Sequence, residues 1–149
     1  MDSDVAVLPA AKKADGEASL VDFLHTLVGG ANVLIRSSQI REILRPQALT
    51  PVPVGPDHLL GLANIHGQIV CMIDLVRVTP LPVKATDPGG RTRFLTLRHP
   101  SMHAGVRVDD VLGIKRVPED ALLMDGLVTE IVVDAESLFV LDCKLLLHG

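Results

Sequence analysis

The sequence predicts an all-β protein, and three observations carry that prediction. Short apolar runs recur roughly every eight to twelve residues, the spacing of small barrels and sandwiches. Twelve Gly and ten Pro residues punctuate these runs, supplying turns and interrupting helices. Hydrophobic residues make up 48% of the 149 positions but aromatics only 2%, with three Phe and no Trp or Tyr, so Val, Leu, Ile and Ala must build the core. A chain of this length suits one domain, or two small ones sharing a core, and buries roughly 70% of its unfolded surface without staples.

Taken in order, residues 1–19 are rich in Ala, Asp, Lys, Gly and Ser and lack sustained periodicity, which predicts a mobile arm ahead of one domain over 20–149. Leu20–Val28 reads as a strand ending at Gly29-Gly30, a dipeptide suited to a hairpin turn, and Asn32–Arg36 as the returning strand. Ser37–Leu44 has Ile40, Ile43 and Leu44 at helical spacing behind Ser37 or Ser38 as N-cap, which predicts a helical turn. Pro46, Pro51, Pro53 and Pro56 exclude regular structure from about residue 46 to 57. Residues 62–75, LANIHGQIVCMIDL, read as strand, turn and strand, with Gly67 making the turn. A loop carrying Pro80, Pro82, Pro88, Gly89 and Gly90 leads to the strand Arg93–Arg98. Pro100-Ser101 turns the chain into Ala104–Val108, and Val111–Val117, Glu130–Val133 and Leu138–Asp142 complete the strands. Cys143–Leu147 predicts a short terminal helix.

Several function classes are excluded. A formal net charge of −4 is the wrong sign for a nucleic-acid footprint. No apolar run reaches the roughly 18 residues of a membrane span, no basic block flanks an amphipathic stretch, and no signal-peptide core is visible. A soluble cytoplasmic protein with two reduced cysteines, Cys71 and Cys143, is the expectation.

The stretch 62–75 also holds His66, Cys71 and Asp74, the residue types of a nucleophile with its base and orienter. On a strand, Cys71 falls on one face and Asp74 on the other, and eight residues separate His66 from Asp74, about 26 Å when extended. A triad needs contacts of about 3 Å, so these three form none locally. Ile69, Cys71 and Ile73 share a face, which predicts a structural core cysteine; the rival is a small Cys-dependent enzyme using Cys71 and a distant His. His99 and His103 have the i, i+4 spacing of a helical metal pair, but Pro100-Ser101 lies between them and predicts two solvated turn histidines. No catalytic residue, metal site or cofactor is expected.

Four ordered motifs resemble the CheW family of chemotaxis coupling proteins. Family members carry a stretch like GvxNLRGxivPviDL, matched here by GLANIHGQIVCMIDL at Gly61–Leu75. Upstream, Ile40-Arg41-Glu42-Ile43 and Thr50-Pro51-Val52-Pro53 resemble the family's apolar-x-Glu-Ile element and "tplP" segment. Downstream, Ala104–Val111 resembles its "vGlxVDxVxxv" strand pair, and Phe139–Leu146 its "xlLdxxkLL" ending. The set spans about 22 to 147, nearly all of the chain past the arm.

The resemblance implies two interlocked, five-stranded SH3-like barrels sharing a hydrophobic core, with short helical segments. It also implies a non-enzymatic adaptor joining the cytoplasmic tip of a methyl-accepting chemoreceptor to the regulatory domain of the histidine kinase CheA; a related role in a non-flagellar chemosensory system is the alternative. Carried over by position, the partner groove includes Ile40, Glu42, Gly61, His66 and Gly67, with Ile114 opposite, while Asp74 and Asp109 make structural hydrogen bonds. The chain departs from the pattern at His66, where arginine is expected, at Cys71, where proline is expected, and at Val33, where Phe or Tyr is usual. Histidine cannot make arginine's fork to a carboxylate, so the departure at His66 points to altered coupling.

Overall fold

The computed structural model describes residues 19–82 and 89–148. Ten strands dominate it: β1 (Leu20–Val28), β2 (Ala31–Arg36), β3 (Ile40–Leu44), β4 (Leu59–Ile65), β5 (Gln68–Ile73), β6 (Arg93–Leu97), β7 (Ala104–Val108), β8 (Asp110–Pro118), β9 (Val128–Val133) and β10 (Glu136–Leu141). Two one-turn helices follow the "Asp-Leu" and "Asp-Cys" steps, α1 (Leu75–Val78) and α2 (Cys143–Leu146). The strands form two five-stranded sheets, ordered β8-β1-β2-β10-β9 and β3-β6-β7-β5-β4.

Connectivity interlocks the two sheets. The first is built from both ends of the described chain, because β10 returns to lie parallel to β2, pairing Val140 with Leu34. The second is continuous from β3 to β7 and closes with β7 parallel to β5, pairing Met72 with Gly105. Neither the first two strands nor the last three make a complete sheet alone.

The apolar runs are nearly continuous because both faces of the inner strands are buried. In β1, Phe23 fills the interior of the first sheet with Leu34, Val117 and Leu138. Its neighbour Leu24 turns the other way, into a core shared with the second sheet through Ile73, Leu95, Val106 and Val108. In β6, Phe94 occupies the interior of the second sheet with Ala63, Val70 and Met72, while Leu95 joins the shared core. Two of the three Phe residues thus each fill one barrel, and aliphatic side chains fill the junction between them.

The expected strands are present, usually within one or two residues of the boundaries read from sequence. The arm expected over 1–19 lies outside the described residues except for Ser19, whose carbonyl accepts the Glu119 N–H at 2.7 Å. Part of the loop before β6, residues 83–88, also lies outside them.

One element is corrected. Ser37–Gln39 makes a single 3₁₀ turn with no side-chain cap, and Ile40–Leu44 is strand β3 rather than a helical continuation. Pairing with β6, from Ile40 opposite Leu97 to Leu44 opposite Phe94, satisfies this backbone in a ladder. That tertiary pairing outweighs the local i, i+3 spacing.

Candidate functional site

The second sheet is curled, and its curl creates the candidate site. β3 forms one end of this sheet and β4 the other, yet Glu42 on β3 meets His66 at the tip of the β4–β5 hairpin. His66 Nε2 lies 3.1 Å from Glu42 Oε2. The hairpin presents the imidazole by its turn geometry: His66 and Gly67 both have positive φ, 53° and 80°. Two such residues make the mirror-image turn that matches strand twist. The Asn64 side-chain oxygen accepts the Gly67 N–H at 2.9 Å and fixes that turn.

Glu42 and His66 border a small open cavity of about 160 Å³, lined also by Arg41, Gln68, Thr96 and His103 over a floor of Ile65, Val70, Leu97 and Ala104. The Thr96 hydroxyl is buried and has no hydrogen-bond partner among the described residues. The Glu42 and His66 side chains are 38% and 69% exposed, so water screens their contact and it contributes at most about 1 kcal/mol. The arrangement has polar, hydrogen-bonding walls and an apolar floor, which suits recognition. Among the described residues no group of three or more His, Cys, Asp or Glu is placed to hold a metal ion. His99 is committed locally, since its Nδ1 accepts the Ser101 and Met102 N–H groups at 3.1 and 2.9 Å.

The other residues expected in the groove lie elsewhere. Ile40 is half-buried against the shared core, and its carbonyl accepts Arg98 Nε at 3.2 Å. Gly61 sits at a β-bulge with φ +149°, where a Cβ would meet the Thr50 carbonyl oxygen at 2.8 Å. Ile114 is 59% exposed on β8, opposite Leu24 in the first sheet. The structure therefore brings together Glu42, His66 and Gly67. It adds Arg41, Gln68, Thr96 and His103, of which sequence reasoning had marked only His103, and that as a turn residue. Their signal is register: Thr96 stands opposite Glu42 on β6.

Asp74 and Asp109 make the structural bonds expected of them. Asp74 caps α1 by accepting the Val76 N–H at 3.0 Å. Asp109 accepts the Gly29 N–H at 2.7 Å, tying the β1–β2 turn to the start of β8.

Cys71 is a second correction: it is exposed, not buried. Its parity was read correctly, since Ile73 on the same face enters the shared core. The first sheet covers only that end of β5, and Ile69, two residues before Cys71, is 54% exposed. Exposure does not supply a catalytic partner. His58 and His103 line the same open cavity of about 520 Å³ as Cys71, but among the described residues His103 offers it only a carbonyl, which accepts the Cys71 N–H at 2.9 Å. Among the described residues the thiol has no general base in hydrogen-bond contact.

A family model described as the CheW-like domain matches residues 22–148. The chain belongs to the CheW-like domain family. Protein FrzA of Myxococcus xanthus is 33% identical over 97 residues, covering 65% of this chain and 59% of that protein. Chemotaxis protein CheW of Helicobacter pylori is 27% identical over 110 residues, covering 74% and 66% respectively. Protein PilI of Pseudomonas aeruginosa is 27% identical over 115 residues, covering 77% and 62%. The chain thus spans between 59% and 66% of the length of these curated relatives. The crystal structure of scaffolding protein TtCheW from Thermoanaerobacter tengcongensis superposes with a TM-score of 0.70 at 15% identity, over 83% of this chain and 90% of that one. At that identity the likeness concerns the fold: the two five-stranded sheets are the two SH3-like subdomains of a CheW-like domain. Among the described residues no helix is long and apolar enough to cross a membrane.

Proposed function

We propose that this CheW-like domain is a non-enzymatic, cytoplasmic adaptor that couples a chemoreceptor tip to the regulatory domain of a CheA-type histidine kinase. The family match across residues 22–148 is the observation that carries the reading. The site contributes chemistry suited to it. A receptor tip is a helical hairpin, and an apolar floor with polar walls takes one face of a helix. Glu42, His66 and Gly67 form the recognition cluster, with Ile40, Gly61 and Ile114 as further candidates for the groove. With no Trp or Tyr in the chain, aromatic anchors are scarce, so each contact is weak and assembly draws on multivalency.

His66 sets partner choice. Arginine at this position would offer a planar fork to Glu42 and to a partner carboxylate; histidine offers one shorter donor. Histidine contacts Glu42 in this chain, and the fork to a partner carboxylate is what it cannot supply.

Co-elution of the full chain with a CheA regulatory domain, with and without receptor-tip peptide, tests the proposal. Micromolar or weaker pairwise binding is expected, and Glu42→Ala should weaken the receptor arm while the circular dichroism spectrum is unchanged. A folded sample that binds neither partner refutes the adaptor reading. A second reading, an adaptor of a non-flagellar chemosensory system, is favoured by the relatives FrzA and PilI standing beside CheW. Co-elution with the regulatory domain of a kinase from a flagellar system, set against one from a non-flagellar system, distinguishes the two.

A further inference from the structure

The cavity beside Glu42 and His66 opens at the mouth of the second barrel. Its floor residues Ile65 and Val70 pack with Ala63, Met72 and Phe94 in that barrel's interior. Barrel mouths are frequent ligand sites. At about 160 Å³ the cavity is smaller than the roughly 300–1,000 Å³ of drug-sized sites, so it suits a small molecule or a single side chain.

The polar groups around it are unevenly matched. Among the described residues that line it, Glu42 is the only acid, and His66 Nε2 contacts its carboxylate at 3.1 Å. The side chains of Arg41, Gln68, Thr96 and His103 have no hydrogen-bond or ion-pair partner among the described residues. Guanidinium, amide and hydroxyl groups all carry donors. Donors therefore outnumber acceptors at this mouth.

Two local features place the donors there. In β3 the register slips between Ile40, opposite Leu97, and Glu42, opposite Thr96, so Arg41 is the extra residue of a β-bulge. A bulge re-aims the side chain it carries. Arg41 lines the cavity beside Glu42, where strict alternation would put the two neighbours on opposite faces. In β6, Thr96 shares the parity of Phe94, which packs in the barrel interior, and is only 5% exposed. A buried hydroxyl without a partner is destabilising, and an acceptor oxygen in the cavity would satisfy it.

We propose that the mouth of the second barrel binds a carboxylate on a short aliphatic stem. The carboxylate accepts from Arg41 and Thr96 on the β3–β6 side. The stem lies on Ile65, Val70 and Ala104, which β4, β5 and β7 supply. A cation is disfavoured because the one wall carboxylate is already engaged by His66. A purely apolar group is disfavoured because Arg41 and Thr96 would stay unpaired beneath it. This chemistry has two sources, a free short-chain acid or the Glu side chain of a partner protein.

NMR chemical-shift titration of the full, isotope-labelled chain tests it at matched ionic strength. Sodium isovalerate stands for the free acid, N-acetyl-glutamate α-amide for the partner side chain, and isovaleramide for the uncharged isostere. Isovalerate or the glutamate amide should give saturable shifts at the Arg41, Gln68, Thr96 and Ala104 amides, with a Kd of about 0.1–10 mM. The tighter of the two identifies the source. Isovaleramide should bind about tenfold or more weakly, and Arg41→Gln should weaken the acid about tenfold. Thr96→Val should weaken it about threefold with unchanged circular dichroism, since a methyl in place of an unpaired hydroxyl is tolerated by the fold. Arg45→Gln, outside the cavity, should leave binding unchanged. No saturable shift from either acid up to about 50 mM, well past that range, overturns the proposal. So does isovaleramide binding as tightly as the acids, or affinity indifferent to both Arg41→Gln and Thr96→Val. None of these readouts uses a receptor or kinase, so their failure leaves the adaptor reading untouched.

Discussion

Gly61→Ala separates a structural role from a binding role at a residue that sequence resemblance places in the partner groove. Gly61 has φ +149°, and an added Cβ would stand 2.8 Å from the Thr50 carbonyl oxygen and 3.3 Å from Leu49 Cβ. That oxygen cannot easily retreat. Thr50 and Leu62 exchange two backbone hydrogen bonds of 2.8 Å each, and this bridge fastens the proline-rich segment onto β4. Holding a side-chain-bearing residue in such a backbone region costs about 1–3 kcal/mol, and overpacking costs about 1–3 kcal/mol. One local shift relieves part of both, so the expected loss is about 2–4 kcal/mol. For a chain of this size that lowers Tm by about 5–15 °C. Gly67→Ala is the internal control: its φ is +80° but a Cβ there meets nothing within 4 Å, so only the backbone term, about 1 kcal/mol, applies. Thermal and urea denaturation measure the difference, and partner binding is measured well below both transitions. Equal stability of Gly61→Ala and wild type, with weakened binding, would refute the structural assignment.

Other outcomes follow from single contacts. Burial, and then the nearby Asp142 charge, push the Cys143 thiol from 9.0 up to about 12. The folded state therefore holds this proton more tightly than the unfolded chain, so stability is unaffected below about pH 9 and falls above it towards pH 12 at up to about 1.4 kcal/mol per pH unit; Cys143→Ala should flatten that slope in urea titrations at alkaline pH. Iodoacetamide at neutral pH should label exposed Cys71 and spare Cys143 until urea unfolds the chain; uniform labelling of both in the native state would contradict the packing. Asp142 accepts the Lys144 and Leu145 N–H groups at 3.0 and 3.1 Å, so Asp142→Ala should lower stability by about 0.5–2 kcal/mol, with Asp142→Asn recovering most of it. His66→Ala should lose no more than about 1 kcal/mol of stability, so a large loss of coupling in that variant would report recognition rather than unfolding.

The fold was legible because the inner strands announce themselves twice, by apolar runs and by turn residues. Gly29-Gly30 and Gly67 mark the turns of two hairpins that the structure shows as β1–β2 and β4–β5. The misreading at Ser37–Leu44 has a specific origin. Ile40, Ile43 and Leu44 satisfy a helical spacing, yet in β3 burial alternates with apolar Ile43 on the exposed face and polar Glu42 on the half-buried one. Periodicity reports burial, and an edge strand is only partly buried. Cys71 failed for a related reason: parity gave its face, but how far the neighbouring sheet extends over that face is a tertiary fact. The cavity beside Glu42 was less legible still, because Glu42, Thr96 and His103 come from three separate segments and meet only through register.

The Glu42–His66 contact joins residues 24 positions apart and lies at the two ends of a sheet whose order interposes β6, β7 and β5 between β3 and β4. Its distance therefore depends on the curl of all five strands rather than on any local turn. That curl is held from outside as well as within, since Leu95 and Val106 of the second sheet pack on Val33 and Ile35 of the first. The first sheet is itself incomplete until β8–β10 return from the far end of the chain. A partner that seats on Glu42 and His66 consequently reads the closure of the whole domain. A CheW-like domain whose last three strands are unfolded would keep every residue of the proposed recognition cluster and still lose its geometry.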